Sequence, residues 1–334
     1  MRARGIALTF VIFALGISSG CTNTSVRPEP SIEIEHLTAA SVQLTAPFGW
    51  ATYEWSFGDG STSFGRVQEH AYDEPGDYTI DLKALDIDGP AAFAHRVITV
   101  HRDIYVSGVQ GAADDDPTFM IQPAVDSADA GDWIFVEGAH RENVTIDKAI
   151  TLLGPCTMTS LTADPAIHVR ADGISLHDIA FIGGAAEATA GGALRISSAA
   201  VEVHACSFDE HDGHDGAAIY VFESEAEFVG CTFADNDADI DGGAVYCEGD
   251  SAFPSFVGCT FEGNRAESGA AIAARATSTA SLDVIPLRVE ACTFIQNVAA
   301  GALAGGAIHV GHSVRTLLID NTFSGNGPED IVFE

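Results

Sequence analysis

Residues 228–245 read FVGCTFADNDADIDGGAV, and residues 256–272 read FVGCTFEGNRAESGAAI. The same residue types return in the same order, and that recurrence decides the fold of most of the chain. A phenylalanine recurs at Phe181, Phe208, Phe233, Phe261, Phe294 and Phe323. Two residues before each stand Ile179, Cys206, Cys231, Cys259, Cys292 and Asn321, and three before those stand Leu176, Val203, Phe228, Phe256, Val289 and Leu318. Asn236, Asn264, Asn297 and Asn326 follow their phenylalanines by three, and glycine-led segments begin at Gly191, Gly216, Gly242, Gly269 and Gly305. Such a chain is expected to wind once per repeat, each strand lying about 4.8 Å from its equivalent. Like residues then pile into interior ladders, each buried phenylalanine contributing about 2–3 kcal/mol. The glycines mark tight turns, and an asparagine ladder satisfies turn backbone groups.

Upstream of the repeats, Ile121-Gln122-Pro123-Ala124-Val125, Gly131-Asp132-Trp133-Ile134, Glu142-Asn143-Val144-Thr145-Ile146-Asp147-Lys148 and Ile150-Thr151-Leu152-Leu153-Gly154 form a second pattern. It resembles the opening of pectin-lyase-like right-handed parallel β-helices, which implies a short helix over Ile121 to Ala128 capping the solenoid. The Gly-Gly-Ala-Ile and Phe-x-x-Asn elements are also similar to the repeats of polymorphic outer-membrane proteins, which are adhesins. The expectation departs from those adhesins in one respect: anchoring by a lipid is expected in place of a translocator barrel.

Another signature precedes these. Tyr53-Glu54-Trp55-Ser56-Phe57-Gly58-Asp59-Gly60 is an aromatic strand entering a turn, and His70-Ala71-Tyr72 leads to Pro75-Gly76-Asp77-Tyr78-Thr79-Ile80. Ile32, Ile34, Val42 and Leu44 alternate as half-buried strands. The two segments resemble the signatures of PKD domains, implying an immunoglobulin-like β-sandwich over 31–101 in which Trp55, His70, Tyr72 and Tyr78 serve the core and its corners. The fold class expected is therefore all-β, a PKD sandwich followed by a β-helix over 102–334.

The N-terminus reads as an export signal over 1–20. Arg2 and Arg4 precede an apolar run from Ile6 to Leu15, too short to span a bilayer. Ile17-Ser18-Ser19-Gly20-Cys21 resembles a lipobox, implying lipidation of Cys21 and a polar tether over 21–30, with localisation at the outer membrane or cell surface. The 334 residues hold 15 Lys+Arg against 48 Asp+Glu, a formal net charge of −33. That balance excludes nucleic acid as a natural partner and favours divalent cations or basic partners.

Cysteine supplies no metal motif. Cys206, Cys231, Cys259 and Cys292 share one inward column, where parallel Cα–Cβ vectors about 4.8 Å apart fit a disulfide poorly. They are expected as reduced, buried thiols. Cys247 belongs to a second inward column with Ile196, Val221 and Val310; Cys156 fits neither pattern.

Two candidate sites remain. Asp212, Asp215, Asp237, Asp239 and Asp241 lie on stacked segments, and such carboxylates repel unless solvated or bridged, so calcium is the candidate cofactor. Residues 237–248 match an EF-hand loop formally, but the repeat strand runs through that match. The second candidate is an outward column of His168, Arg195, Tyr220, Tyr246, Ala273 and His309. Within it Arg195, Tyr220, Tyr246 and His309 are candidate ligand contacts, since the aromatic rings among them could stack on sugar faces. No complete catalytic set appears; Gly213-His214-Asp215-Gly216 only echoes a pectin-hydrolase motif, and Arg195 is the conceivable base of a lyase. The function expected is a non-catalytic surface lipoprotein binding a polysaccharide or partner protein, against a polysaccharide lyase or hydrolase and against an envelope spacer.

Overall fold

A computed structural model describes residues 29–87, 89, 91–107, 120–183, 190–250, 253–277, 286–301 and 304–334. The signal segment, Cys21 and nearly all of the tether lie outside the described residues. The chain divides into two compact units, one ending at Asp103 and the other beginning at Ile104.

In the first unit, strands Glu33–Thr38, Ser41–Thr45 and Val67–Ala71 form one antiparallel sheet. Thr62–Phe64, Thr52–Ser56, Gly76–Leu85 and Ala92–Val100 form the other. Alternation buries Val42, Leu44, Trp55, Ile80 and Leu82 in one core. The signature aromatics hold corners as expected. Trp55 Nε1 donates to the Gly65 carbonyl (2.7 Å) and the Tyr72 hydroxyl to the Phe57 carbonyl (3.0 Å). His70 stacks on Phe57, with centroids 4.0 Å apart.

The second unit is a parallel solenoid. One sheet of eight strands runs from Val144–Ile146 through Ile167–Val169, Leu194–Ser197, Ile219–Phe222, Val245–Glu248, Ile272–Arg275 and Gly305–Val310 to Glu329–Phe333. A second, larger sheet holds the strands that carry the phenylalanine column. A third, of four short strands, joins Asp212–Asp215, Asp237–Asp241, Arg265–Ala266 and Val298–Ala299. Helix Ile121–Ser127 buries Ile121, Ala124 and Val125, and Glu142 accepts hydrogen bonds from the Ile121 and Gln122 amides at its start.

Left-handed residues space the ladders. Asp178, Ala205, Gly230, Gly258, Ala291 and Asp320 all have φ between 51° and 62°, and each directly precedes a member of the cysteine column. Glu210, Asp235, Gly263, Gln296 and Gly325, with φ from 51° to 70°, precede His211 and the four ladder asparagines. Each such residue bends the chain so that the next side chain turns inward. At Gly242 (φ 64°) a Cβ would lie 2.2 Å from the Val245 carbonyl, so the turn admits only glycine.

The ladders match the repeat register. Successive rings from Phe181 to Phe323 stack with centroids 4.5–5.0 Å apart and planes within 8°. All six cysteines from Cys156 to Cys292 are buried and free, and burial pushes the Cys206 thiol up to about 12. Cys156 pairs with Ile179, so it heads the same inward column; a register irregularity after Leu153 hid it. Cys247 lies in line with Val221 and Ala274.

The asparagine ladder begins with a histidine. Asn236 Nδ2 donates to the Phe208 carbonyl (3.0 Å) and to Asn264 Oδ1 (2.8 Å); Asn264 repeats this with Phe233 and Asn297. His211 holds the equivalent place one coil earlier, 1% exposed, its amide donating to Asn236 Oδ1. Burial lowers its pKa from 6.5 to about 4, although the Phe181 carbonyl favours the protonated ring. The unfolded chain therefore takes up this proton first, and stability should fall as pH drops from about 6.5 to about 4. The loss should reach about 3 kcal/mol at most, and none is expected above pH 6.5. Melts of wild type and His211→Asn between pH 4 and 7 check this. The asparagine variant should lose that part of the pH dependence, and equal slopes would refute the assignment.

Candidate functional site

The two candidate groups of the sequence meet along one edge of the first sheet. Arg195 and Tyr220 are in register on neighbouring strands, as are Tyr220 and Tyr246, and then Ala273 and His309. The Arg195 guanidinium lies over the Tyr220 ring at 5.1 Å, and the two tyrosine rings are 5.8 Å apart. The Tyr220 hydroxyl donates to Glu248 (2.7 Å), and burial, followed by that carboxylate, raises its pKa.

The column is not the uniformly exposed aromatic ladder that alternation suggested. Arg195 and Tyr220 are half-buried, but Tyr246 is 8% and His309 3% exposed, and Ala273 is fully buried. Two further contacts lie at this buried half. Arg275, outward on its own strand, pairs with Asp241 at 2.9 Å, and His309 Nε2 lies 3.2 Å from Glu334. Sequence reasoning missed Glu248 and Arg275. Both stand two residues after a column member, so the same period-two argument reaches them.

The five aspartates do not gather into a calcium cluster, and this corrects the expected convergence. Asp212 is in register with Asp237, and Asp215 with Asp241. Strand alternation turns Asp237 and Asp239 outward, but a register irregularity between Gly213 and Asp215 breaks the alternation, and Asp241 is only 2% exposed. Asp237 is in register with Arg265 on its other side, and Asp241 is paired with Arg275, so guanidinium charge takes the place assigned to the ion. Burial pushes the Asp241 carboxyl above its ordinary range in spite of Arg275. His214 donates to Asp215 at 2.8 Å, which raises its pKa. Among the described residues, no three of His, Cys, Asp and Glu come together in a way that could hold a metal ion.

A serine, a histidine and an aspartate also meet in the first unit. Ser61 Oγ donates to Asp59 at 2.5 Å, and His70 Nε2 lies 2.7 Å from Asp59 and 3.3 Å from Ser61. One ring nitrogen faces both partners, so the geometry lacks the two-nitrogen relay of a nucleophilic triad. Against desolvation, which pushes it up, Ser61 and His70 hold the Asp59 carboxyl down to about 2. This is a turn lock.

A parallel solenoid with stacked phenylalanine, cysteine and asparagine columns defines a class, the right-handed β-helices. The model of the right handed beta helix region matches residues 128–323, and the chain belongs to that family. The PKD domain model matches residues 32–100. Among solved structures, the PKD1 domain of the Vibrio cholerae metalloprotease PrtV is 24% identical, covering 22% of this chain and 98% of that one, with a TM-score of 0.21. The PKD1 domain of Vibrio anguillarum Epp is 24% identical over 22% of this chain and 93% of its own, with the same TM-score.

Proposed function

We propose that this protein is a non-catalytic component of the bacterial cell surface that binds a polysaccharide along the first sheet of its β-helix. The observation that carries the proposal is the Tyr220 ring, half-buried and fixed on three sides by Arg195, Tyr246 and the Glu248 carboxylate. A ring held this way offers an exposed rim and an already oriented hydroxyl, so a sugar laid across the column meets it with little further loss of freedom. A chain built of a PKD domain and a β-helix fits a surface or carbohydrate-interacting protein, and adhesion is the role it suits. A broad glycan array probed with the full-length chain tests this. At least one glycan should be retained, and Tyr220→Ala should weaken it 10-fold or more. Release of unsaturated oligosaccharides from uronate polymers would replace the proposal with a lyase, and an empty array would leave a protein-binding or spacer role. Running the array with and without calcium, beside sodium chloride of equal ionic strength, separates a specific ion at the Asp212–Asp237 edge from screening.

Anchoring by a lipid at Cys21 belongs to the same proposal and rests on the segment ending Ser19-Gly20-Cys21. Cys21→Ser is expected to abolish acyl labelling in cells. A mutant that still carries the label sinks the anchor and leaves the glycan proposal untouched.

A further inference from the structure

We infer that the free edge of strand Ala92–Val100, in the first unit, is a docking site that takes up an acidic extended peptide as an added β-strand. The inference goes beyond the polysaccharide proposal and does not depend on it, because it concerns another unit and a protein ligand. Ala92–Val100 ends the four-stranded sheet. It pairs with Gly76–Leu85 on one side, and among the described residues no strand pairs with its other side. A sheet edge presents a row of unpaired amides and carbonyls that a partner strand can take up.

Brevity, bulges and proline commonly close such edges, and this one has none of them. Thr62–Phe64, at the opposite edge of the same sheet, is three residues long, and Val67–Ala71, at one edge of the other sheet, is five. Glu33–Thr38, at the remaining edge, is interrupted by a register shift between His36 and Thr38. Ala92–Val100 has nine residues, no proline and a register unbroken from Val100 opposite Gly76 to Ala92 opposite Ala84. Its free edge is about 30 Å long at about 3.4 Å per residue. It stops where the His101 amide donates to the Ala39 carbonyl at 3.0 Å.

The side chains define the guest. Phe93, His95, Val97 and Thr99 alternate on the outer face, with Phe93 70% and Val97 65% exposed, so β-branched or aromatic residues fit across from them. Arg96 shares the inward parity of Ile98 and Val100, yet it is exposed and forms no ion pair among the described residues. Residues 91–102, AAFAHRVITVHR, hold two arginines, two histidines and no carboxylate, in a chain with 48 Asp+Glu. On the strand behind, Asp81 is opposite His95 and Asp77 accepts from the Thr99 hydroxyl at 2.7 Å, whereas the residue opposite Arg96 is Ile80. A carboxylate on an added strand would supply the missing counter-charge. A second copy of this chain fits poorly. Antiparallel self-pairing in the register of greatest overlap sets Arg96 against Arg96, and two chains of net charge −33 repel. The strand that fits carries Asp or Glu opposite Arg96 and apolar residues opposite Phe93 and Val97.

The test uses the full-length chain and three short peptides, capped at both ends, in which valine alternates with glutamate, glutamine or lysine. In NMR titrations the glutamate peptide should bind about 10-fold or more tightly than the lysine peptide, with glutamine between them. At saturation, amide exchange should slow about 5-fold or more at alternate residues of Ala92–Val100 and stay unchanged in Glu33–Thr38 and Val67–Ala71. Arg96→Glu should reverse the order of the glutamate and lysine peptides. Arg96→Gln, a milder change at an exposed position, should bring the three peptides within about 3-fold of one another, and serves if the reversal variant misfolds. Equal binding of the three peptides by wild type, protection at another edge, or no binding of any peptide overturns the docking site. A dimer in sedimentation that protects the same amides without peptide overturns it too, since a second copy would then cover the edge. None of these results bears on polysaccharide binding, which the glycan array decides separately.

Discussion

Replacing Asn264 with alanine is expected to destabilise the β-helix by about 4 kcal/mol, because one side chain serves three coils. Its Nδ2 donates to the Phe233 carbonyl (3.0 Å) and to Asn297 Oδ1 (2.8 Å). Its Oδ1 accepts from the Asn236 amide (3.1 Å) and from Asn236 Nδ2 (2.8 Å). All of these groups are buried, so alanine leaves several polar atoms with neither a protein partner nor water. A buried unsatisfied group costs about 1–3 kcal/mol, and the losses within one network are not additive, which sets the total near the middle of the sum. The control is Asn326→Ala. That residue ends the ladder, is half-buried and can exchange its lost bonds for water, so about 1 kcal/mol is expected there. Urea melts of the two variants decide the matter. Equal losses would mean that water already reaches the interior of the ladder, and that the column is not a continuous buried network.

The columns were legible because a coil repeats one geometry and demands one residue type at each place. Phe233, Cys231 and Asn236 each have counterparts in the neighbouring coils, and the structure stacks every one of them. Legibility ended where a coil departs from the repeat. Cys156 sits in its column, but the irregularity between Leu153 and Cys156 shifts it out of the sequence pattern. His211 holds an asparagine's position with a different chemistry, and a search for repeated asparagine passes over it. The candidate site was legible as a register and not as a surface. Alternation correctly set Tyr220, Tyr246 and His309 on one outward column, but outward is not the same as exposed. The burial of Tyr246 and His309 accompanies pairs such as Arg275 with Asp241, between side chains 34 positions apart in number and on different strands, which period-two reasoning does not connect. The same pairing explains why five aspartates did not become a cluster. Sequence shows that carboxylates are neighbours, whereas the position of each arginine tip is settled only by packing.

Phe233→Ala should cost about 3–5 kcal/mol, a loss of burial compounded by a cavity the solenoid cannot close. The ring lies between Phe208 and Phe261, with centroids at 4.9 and 4.5 Å, and meets the edges of Phe228 and Phe256 at 6.2 Å. Those neighbours belong to coils fixed by their own strand hydrogen bonds, so the walls relax little and the dispersion contacts are lost outright. A solenoid also confines the damage, since each coil touches mainly the next. Amide exchange should therefore accelerate at Thr232 and Thr260, whose amides donate to the Cys206 and Cys231 carbonyls on either side of the cavity. The amides of Thr151 and Ser175, bonded to Asp132 and Ile150 several coils away, should keep their wild-type protection. Phe233→Leu, which keeps most of the volume, should lose less than about half as much. Two results count against the column as a structural spine. A cost below about 1 kcal/mol would mean the rings are not the packed core of their coils, and a uniform loss of protection from Thr151 to Thr260 would mean the coils unfold as one block instead of neighbour by neighbour.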